Sequence, residues 1–226
     1  MPRRGSLLSS ILSIILLIAA YLSASQQVPS VAQGPSDLRH RAGDEHREGE
    51  VVRPRGRIYM SVTPAAVPGS LKELVSTADV IVDGRVESVL PSRLNNPADP
   101  TTVETDAIVG VREVLKGPET LKSLVVTQAG GKDRDVEIVP VQYELLQQGD
   151  RHILFLTSDG RDIVPRYPAV NGTFTITGRW SGNFKVEGGA LKTSRNAPAD
   201  LKKRETEGAD VFIDRIRAEV RASRTR

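Results

Sequence analysis

The sequence predicts a mainly β protein, a small antiparallel barrel or sandwich with one short helix before it and one after it. Three observations carry this reading. Residues 80–87 and 103–112 alternate apolar and polar side chains with period two, as half-buried strands do. The turn dipeptides Asn171-Gly172 and Gly188-Gly189 lie between β-rich flanks. Helical spacing of apolar residues is confined to 71–78 and 212–220. The chain has 226 residues, enough for one domain with length to spare, and aromatics are only 4%, so its core must be mostly Val, Ile, Leu and Ala. There is no cysteine, which excludes disulfides, zinc–cysteine sites, iron–sulfur ligation and lipid attachment through Cys.

The N-terminus reads as a targeting segment. Arg3 and Arg4 precede an apolar run over 7–22, followed by the small residues Ser23, Ala24 and Ser25. That order is a secretory signal, with cleavage expected between Ser25 and Gln26. The alternative is a retained anchor: residues 7–24, at about 1.5 Å rise each, just reach across a hydrocarbon core of roughly 30 Å. Either way residues 1–25 are the signal or anchor helix, and the rest of the chain is placed outside the cytoplasm. Residues 26–57 are charge-mixed, with 6 basic and 5 acidic side chains and no sustained apolar period, and read as a disordered tether.

The folded part is expected from residue 58. Ser70 and Glu73 form a capping box, and Leu71, Leu74, Val75 and Ala78 share the face of a short helix. In the strand after it Val80, Val82, Gly84 and Val86 face one side and Asp83, Arg85 and Glu87 the other, with Gly84 marking a bend. Residues 91–100 read as a loop. Val103, Thr105, Ala107, Val109 and Val111 line a second strand long enough to bend between two barrel edges, ended by Lys116-Gly117-Pro118. Leu124 to Thr127 form a third strand, stopped by Gly130-Gly131. Ile153-Leu154-Phe155-Leu156 is a continuous apolar run, as in a central strand covered on both faces. Residues 58–191 are the β domain. Residues 192–226 are a basic linker and an amphipathic helix from about Asp210, with Phe212, Ile213, Ile216 and Val220 on its buried stripe.

Several of these segments resemble uncharacterised bacterial exported β-domains. The matching stretches are Leu74 through Val86 with its Ala78-Asp79-Val80-Ile81 step, Val114-Leu115-Lys116-Gly117, Gln128-Ala129-Gly130-Gly131, and Leu146 through Leu156. Together they span roughly residues 70–191. More remotely, the order of elements is similar to the netrin-like modules of tissue inhibitors of metalloproteinases, which are OB-type barrels. The resemblance implies an OB-like barrel. It does not carry over the inhibitors' chemistry, because their N-terminal cysteine and their disulfides have no counterpart here.

Candidate chemistry is sparse. Gly178-Arg179-Trp180-Ser181-Gly182 has one residue too many before the serine for a nucleophile elbow and reads as a loop. Gly130-Gly131-Lys132 lacks the rest of a phosphate loop. His152 stands at the edge of an apolar run and reads as a half-buried packing residue. His40 and His46, with Asp44, Glu45 and Glu48, could approach a metal only on an unstructured segment, so no metal or other cofactor is expected. Glu104 and Asp106 share what reads as the wet face of a strand. Trp180, with Tyr167 and Asn171, is the candidate ligand contact, a stacking platform for a sugar or peptide. Nucleic acid is not an expected partner: residues 58–201 carry 15 basic and 18 acidic side chains, a net of −3, and the basic excess lies in 202–226 with 8 against 5.

No catalytic set assembles, so the sequence points to an exported, non-enzymatic binding or interaction module whose partner is an envelope or extracellular protein. Residues 7–24 contact the membrane if the signal is retained. The alternative is a protease inhibitor acting through rim loops 91–100 and 165–173, and an enzyme with an unfamiliar site ranks behind both.

Overall fold

The computed structural model describes residues 56–61, 66–96, 99–159 and 172–224. The signal or anchor, nearly all of the tether, the 165–171 part of the second rim loop, and Tyr167 and Asn171 lie outside them. Among the described residues no helix is long and apolar enough to cross a membrane.

The architecture is mainly β. Strand β1 (Gly56–Met60) comes first, then helix α1 (Leu71–Thr77). Ser70 caps the helix as expected, its hydroxyl accepting from the Glu73 N–H at 3.3 Å. The Glu73 carboxylate reaches one residue further back than a capping box requires and accepts from the Gly69 N–H. Leu71, Leu74 and Val75 are buried, and Ala78 ends the helix.

Strands β2 (Val80–Val89), β3 (Arg93–Asn96), β4 (Asp99–Lys116) and β5 (Ser123–Ala129) follow. Then come β6 (Gly131–Asp133), β7 (Val136–Pro140), β8 (Arg151–Ser158), β9 (Thr173–Ile176), β10 (Asn183–Glu187) and β11 (Ala190–Lys192). The main sheet runs β11-β10-β8-β2-β4-β5-β9, with β3 laid on β4. Because β9 also pairs with β8, the strands β8, β2, β4, β5 and β9 close into a ring. Within it only β5 and β9 run parallel; the other pairs are antiparallel. The bend expected at Gly84 is a register shift between Asp83 and Gly84. A Cβ at Gly84 would stand 2.6 Å from Val109 Cγ1, so the close approach of β2 to β4 requires glycine.

Strand β8 divides two cores, as its unbroken apolar run predicts. Leu154 and Leu156 join Val82, Val109, Leu124, Val126 and Ile176 in one cluster. Ile153 and Phe155 join the other, under α1 and the C-terminal helix α3 (Ala209–Arg224). There Phe155, Phe184 and Phe212 pack with ring centroids 4.7 to 6.5 Å apart. Phe212, Ile213, Ile216 and Val220 are all buried, so α3 belongs to the domain.

The structure corrects three expectations. Residues 91–100 are not all loop: β3 pairs with β4 there, tied by an Arg93–Glu104 ion pair at 3.5 Å. The linker before α3 contains helix α2 (Ala199–Lys202) and a 3-10 turn (Lys203–Thr206), which bury Leu201. Asp106 is not on a wet face. It is 3% exposed, accepts from the Thr127 hydroxyl at 2.7 Å and pairs with Arg93 at 2.7 Å. Asp83, on the polar side of β2, is also 3% exposed and takes a bidentate contact from Arg151 at 2.9 Å and 2.9 Å. A buried carboxylate is tolerable when a guanidinium or hydroxyl meets it, and both here are met. The small sheet β1-β7-β6 had no forecast; its strands are too short to show a period.

Candidate functional site

The site lies where the main sheet leaves the ring. One edge of β8 pairs with β2 along its length. The other edge is shared, with β9 on Leu156–Ser158 and β10 on Arg151–Leu154. The chain must step from one partner to the next, and the turn 177–182 makes that step around Phe155. The Thr177 N–H donates to the Phe155 carbonyl at 2.9 Å, and the Phe155 N–H donates to the Gly182 carbonyl at 2.8 Å. Gly178 and Arg179 both adopt left-handed backbone, at φ 62° each, which costs a non-glycine residue such as Arg179.

This turn carries Trp180, which is 6% exposed. Its indole stacks on Tyr143 with centroids 6.4 Å apart and planes inclined by 20°. Tyr143 comes from the irregular segment 141–147, and its hydroxyl donates to the Ala129 carbonyl at 2.7 Å. Burial pushes the Tyr143 phenol up to about 12, so it stays a neutral donor.

Between that segment, β10 and residues 192–195 opens a cleft of about 410 Å³, with Trp180, Tyr143, His152 and Asn183 in its lining. His152 is 3% exposed, and its Nδ1 stands 2.7 Å from the Asn183 amide oxygen. An amide oxygen only accepts, so this contact assigns the proton to Nδ1 and leaves Nε2 as an acceptor in the neutral ring. Burial holds the imidazole below its ordinary value, against the opposing pull of the Asn183 contact and the Asp150 carboxylate. Nε2 lies 3.9 Å from Asp150, beyond hydrogen-bond distance. Neither His152 Nε2 nor Trp180 Nε1 has a hydrogen-bond partner among the described residues.

The rim is ionic. Lys185 bridges Asp150 at 2.9 Å and Glu187 at 3.0 Å, and Lys192 contacts Glu187. These contacts raise the Lys185 ammonium, through Asp150 first, and lower the Glu187 carboxyl, through Lys192 first. The hydroxyls of the far wall are committed: Thr193 donates to Glu205 at 2.6 Å, and Ser194 donates to the Gln142 carbonyl. A second, smaller cleft of about 260 Å³ lies against Tyr143, Glu104, Thr127 and Arg179.

Of the three residues expected to form a ligand platform, Trp180 lines the larger cleft, and Tyr167 and Asn171 lie outside the described residues. His152 is more buried than the half-buried packing role expected of it, and it lines the same cleft as Trp180. Glu104 lines the smaller cleft. Gly130 links β5 to β6, which begins with Gly131 and Lys132, and both glycines have positive φ. The metal-approach residues His40, His46, Asp44, Glu45 and Glu48 lie outside the described residues. Among those that are described, no cluster of three or more His, Asp or Glu could hold a metal ion. Tyr143, Asp150, Asn183 and Lys185 went unforeseen. They come from three separate segments, and the β8–β10 register, which pairs Lys185 with His152, sets two of them, Asn183 and Lys185, beside β8.

No family model matches the chain, and no curated protein matches it.

Proposed function

We propose that this chain is an exported, non-enzymatic binding module on an OB-type barrel, and that the cleft beside Trp180 takes its ligand. The ring order supports the barrel reading. Three consecutive antiparallel strands, β2, β4 and β5, are closed by β9 and β8, with β9 parallel to β5, which is the arrangement of a five-stranded Greek-key barrel. The observation that carries the binding reading is a cleft of about 410 Å³ lined by Trp180, Tyr143, His152 and Asn183, two of whose residues hold a buried ring nitrogen, Trp180 Nε1 and His152 Nε2, without a partner among the described residues. A buried polar atom without a partner costs about 1–3 kcal/mol, and a ligand that supplies the partner recovers it. Aromatic walls with a few convergent polar groups are the usual make-up of a ligand pocket.

The chain has one tryptophan, so its indole N–H gives a single side-chain resonance that reports on this cleft. The test is a screen of saccharides, peptides and nucleotides against the isotope-labelled protein. A saturable shift of that resonance by any class supports the reading, and silence from every class overturns it. Export is tested by intact mass: a mature chain beginning at Gln26, or a full-length chain recovered with membranes, supports it. A full-length chain in the cytosol does not.

A further inference from the structure

Independently of the cleft, we infer that strand β1 is a self-association edge: two copies of this chain join by antiparallel pairing of Gly56–Met60 about a two-fold axis at Ile58.

Strand β1 ends its sheet, in the order β1-β7-β6, so one of its edges has no strand beside it among the described residues. Its backbone directions follow from the parallel register. The Gly56 N–H donates to the Asp135 carbonyl at 2.8 Å, and the Met60 carbonyl accepts from the Val141 N–H at 3.1 Å. A parallel ladder uses alternate residues of a strand. Gly56, Ile58 and Met60 therefore bond toward β7, and Arg57 and Tyr59 point their N–H and carbonyl groups outward.

Sheets normally blunt such an edge with a proline, a bulge, an unpaired charge or a covering segment. The end strand of the main sheet, β11, is covered: Ala190 bridges Gly208, and the Ala209 N–H donates to the Gly189 carbonyl at 2.9 Å. Among the described residues β1 has no such protection. It pairs with β7 without a register shift and contains no proline. Its one charge, Arg57, is already bonded twice to Glu137, at 2.9 and 3.1 Å. Tyr59 beside it is 64% exposed.

The outward groups fix the occupant and the register. Residues of a hydrogen-bonded antiparallel pair exchange both bonds, so outward residues must face outward residues. Centring on Ile58 sets each Arg57 against the partner's Tyr59 and makes four hydrogen bonds over the whole strand. Each guanidinium then lies beside a tyrosine ring. The two Ile58 side chains meet on the face that packs against Val103, Val136 and Ile138. Centring on Arg57 would oppose like charges, and centring on Tyr59 would run past Met60, where the strand ends. The edge is complementary to itself, as a closed two-fold contact requires. A five-residue pair is smaller than the roughly 1,000 Å² of a stable interface, so the dimer is a transient one.

The experiment follows the full-length chain from about 10 µM to 1 mM by sedimentation equilibrium and amide hydrogen exchange. The expected result is a monomer–dimer equilibrium within that range. The Arg57 and Tyr59 amides should gain about twofold or more in protection as concentration rises, while the Ile58 amide, bonded to β7, stays protected throughout. Tyr59→Pro deletes an outward N–H and leaves every bond to β7, as an edge position allows, so it should abolish the dimer and keep a cooperative thermal melt. Tyr59→Thr keeps the N–H but removes two Arg–Tyr pairs at once by symmetry, and should weaken the dimer about tenfold. A chain that stays monomeric throughout overturns the proposal, whether its edge amides are open or covered by another stretch of the chain. So does a dimer left at full strength by Tyr59→Thr or by a folded Tyr59→Pro, since it would be held elsewhere.

Discussion

Strand β10 carries two environments on alternate residues. Phe184 and Val186 face the core beneath α3, where Phe184 meets Phe212 at 4.7 Å between centroids. Asn183, Lys185 and Glu187 face the cleft, where each meets a specific polar partner. The first face is held by area and tolerates only apolar bulk. The second is held by pairing, so its worth depends on which groups are matched and which are left open. Stability therefore resides on the helix side of the strand and recognition on the cleft side, and substitutions should separate the two.

The largest effect is expected from the helix side. A chain ending at Thr206 loses α3 and with it four large buried apolar side chains, Phe212, Ile213, Ile216 and Val220, besides Ala209. At about 1.5–3 kcal/mol for each, the loss is comparable with the whole stability of an ordinary domain. Thermal melting by circular dichroism should show no cooperative transition, or one at much lower temperature. An unchanged melting temperature would mean that α3 is dispensable and the asymmetry false.

Next is a pair of substitutions one residue apart. Phe184→Ala should cost about 3–5 kcal/mol in urea unfolding, because it empties the centre of the aromatic cluster. Lys185→Gln should cost under about 1 kcal/mol, since the ammonium is partly exposed and its ion pairs are solvent-screened. Equal costs would erase the distinction between the two faces.

These contrasts also mark what could be read in the sequence. The two-sided burial of β8 was legible because four consecutive apolar residues, Ile153 to Leu156, leave no polar face. The stripe of α3 was legible because Phe212, Ile216 and Val220 repeat every four residues. Asp106 misled, because alternation identifies a polar face but not whether an arginine such as Arg93 covers it. The cleft was least legible of all. It arises where β8 changes partner from β9 to β10, a property of strand pairing between distant segments that no local period encodes. Trp180 was singled out as the only tryptophan, and His152 as a histidine beside an apolar run, but nothing in the sequence linked them to Tyr143 or Asn183.

The turn at that change of partner gives a third, intermediate effect. A Cβ at Gly182 would lie 2.7 Å from the Thr177 carbonyl oxygen and 2.9 Å from that of Phe155. Both oxygens belong to backbone that the turn fixes, so neither can give cheaply. Gly182→Ala should cost about 1–3 kcal/mol and alter the emission of the neighbouring Trp180. A stability loss with unchanged tryptophan emission would show that the turn and the cleft are uncoupled.

The smallest effect is the pH dependence set by His152. Buried among Asn183, Asp150, Lys185 and Glu187, its imidazole is held below the ordinary value of 6.5, with burial as the dominant cause. Between that lowered value and 6.5 the unfolded chain binds more protons at this residue than the folded one. Its contribution to stability is therefore complete above pH 6.5 and is lost as pH falls through the folded-state value. One proton limits the slope to about 1.4 kcal/mol per pH unit. His152→Gln keeps a polar side chain and removes the titration. Subtracting the variant's urea-derived stability from the wild type's cancels every group the two share. The difference should be flat above pH 6.5 and decline on acidification below it. A difference that is flat throughout would mean that folding leaves the ring at its ordinary value, and one that grows as pH falls would mean that folding raises it, with the charged ring held by Asp150.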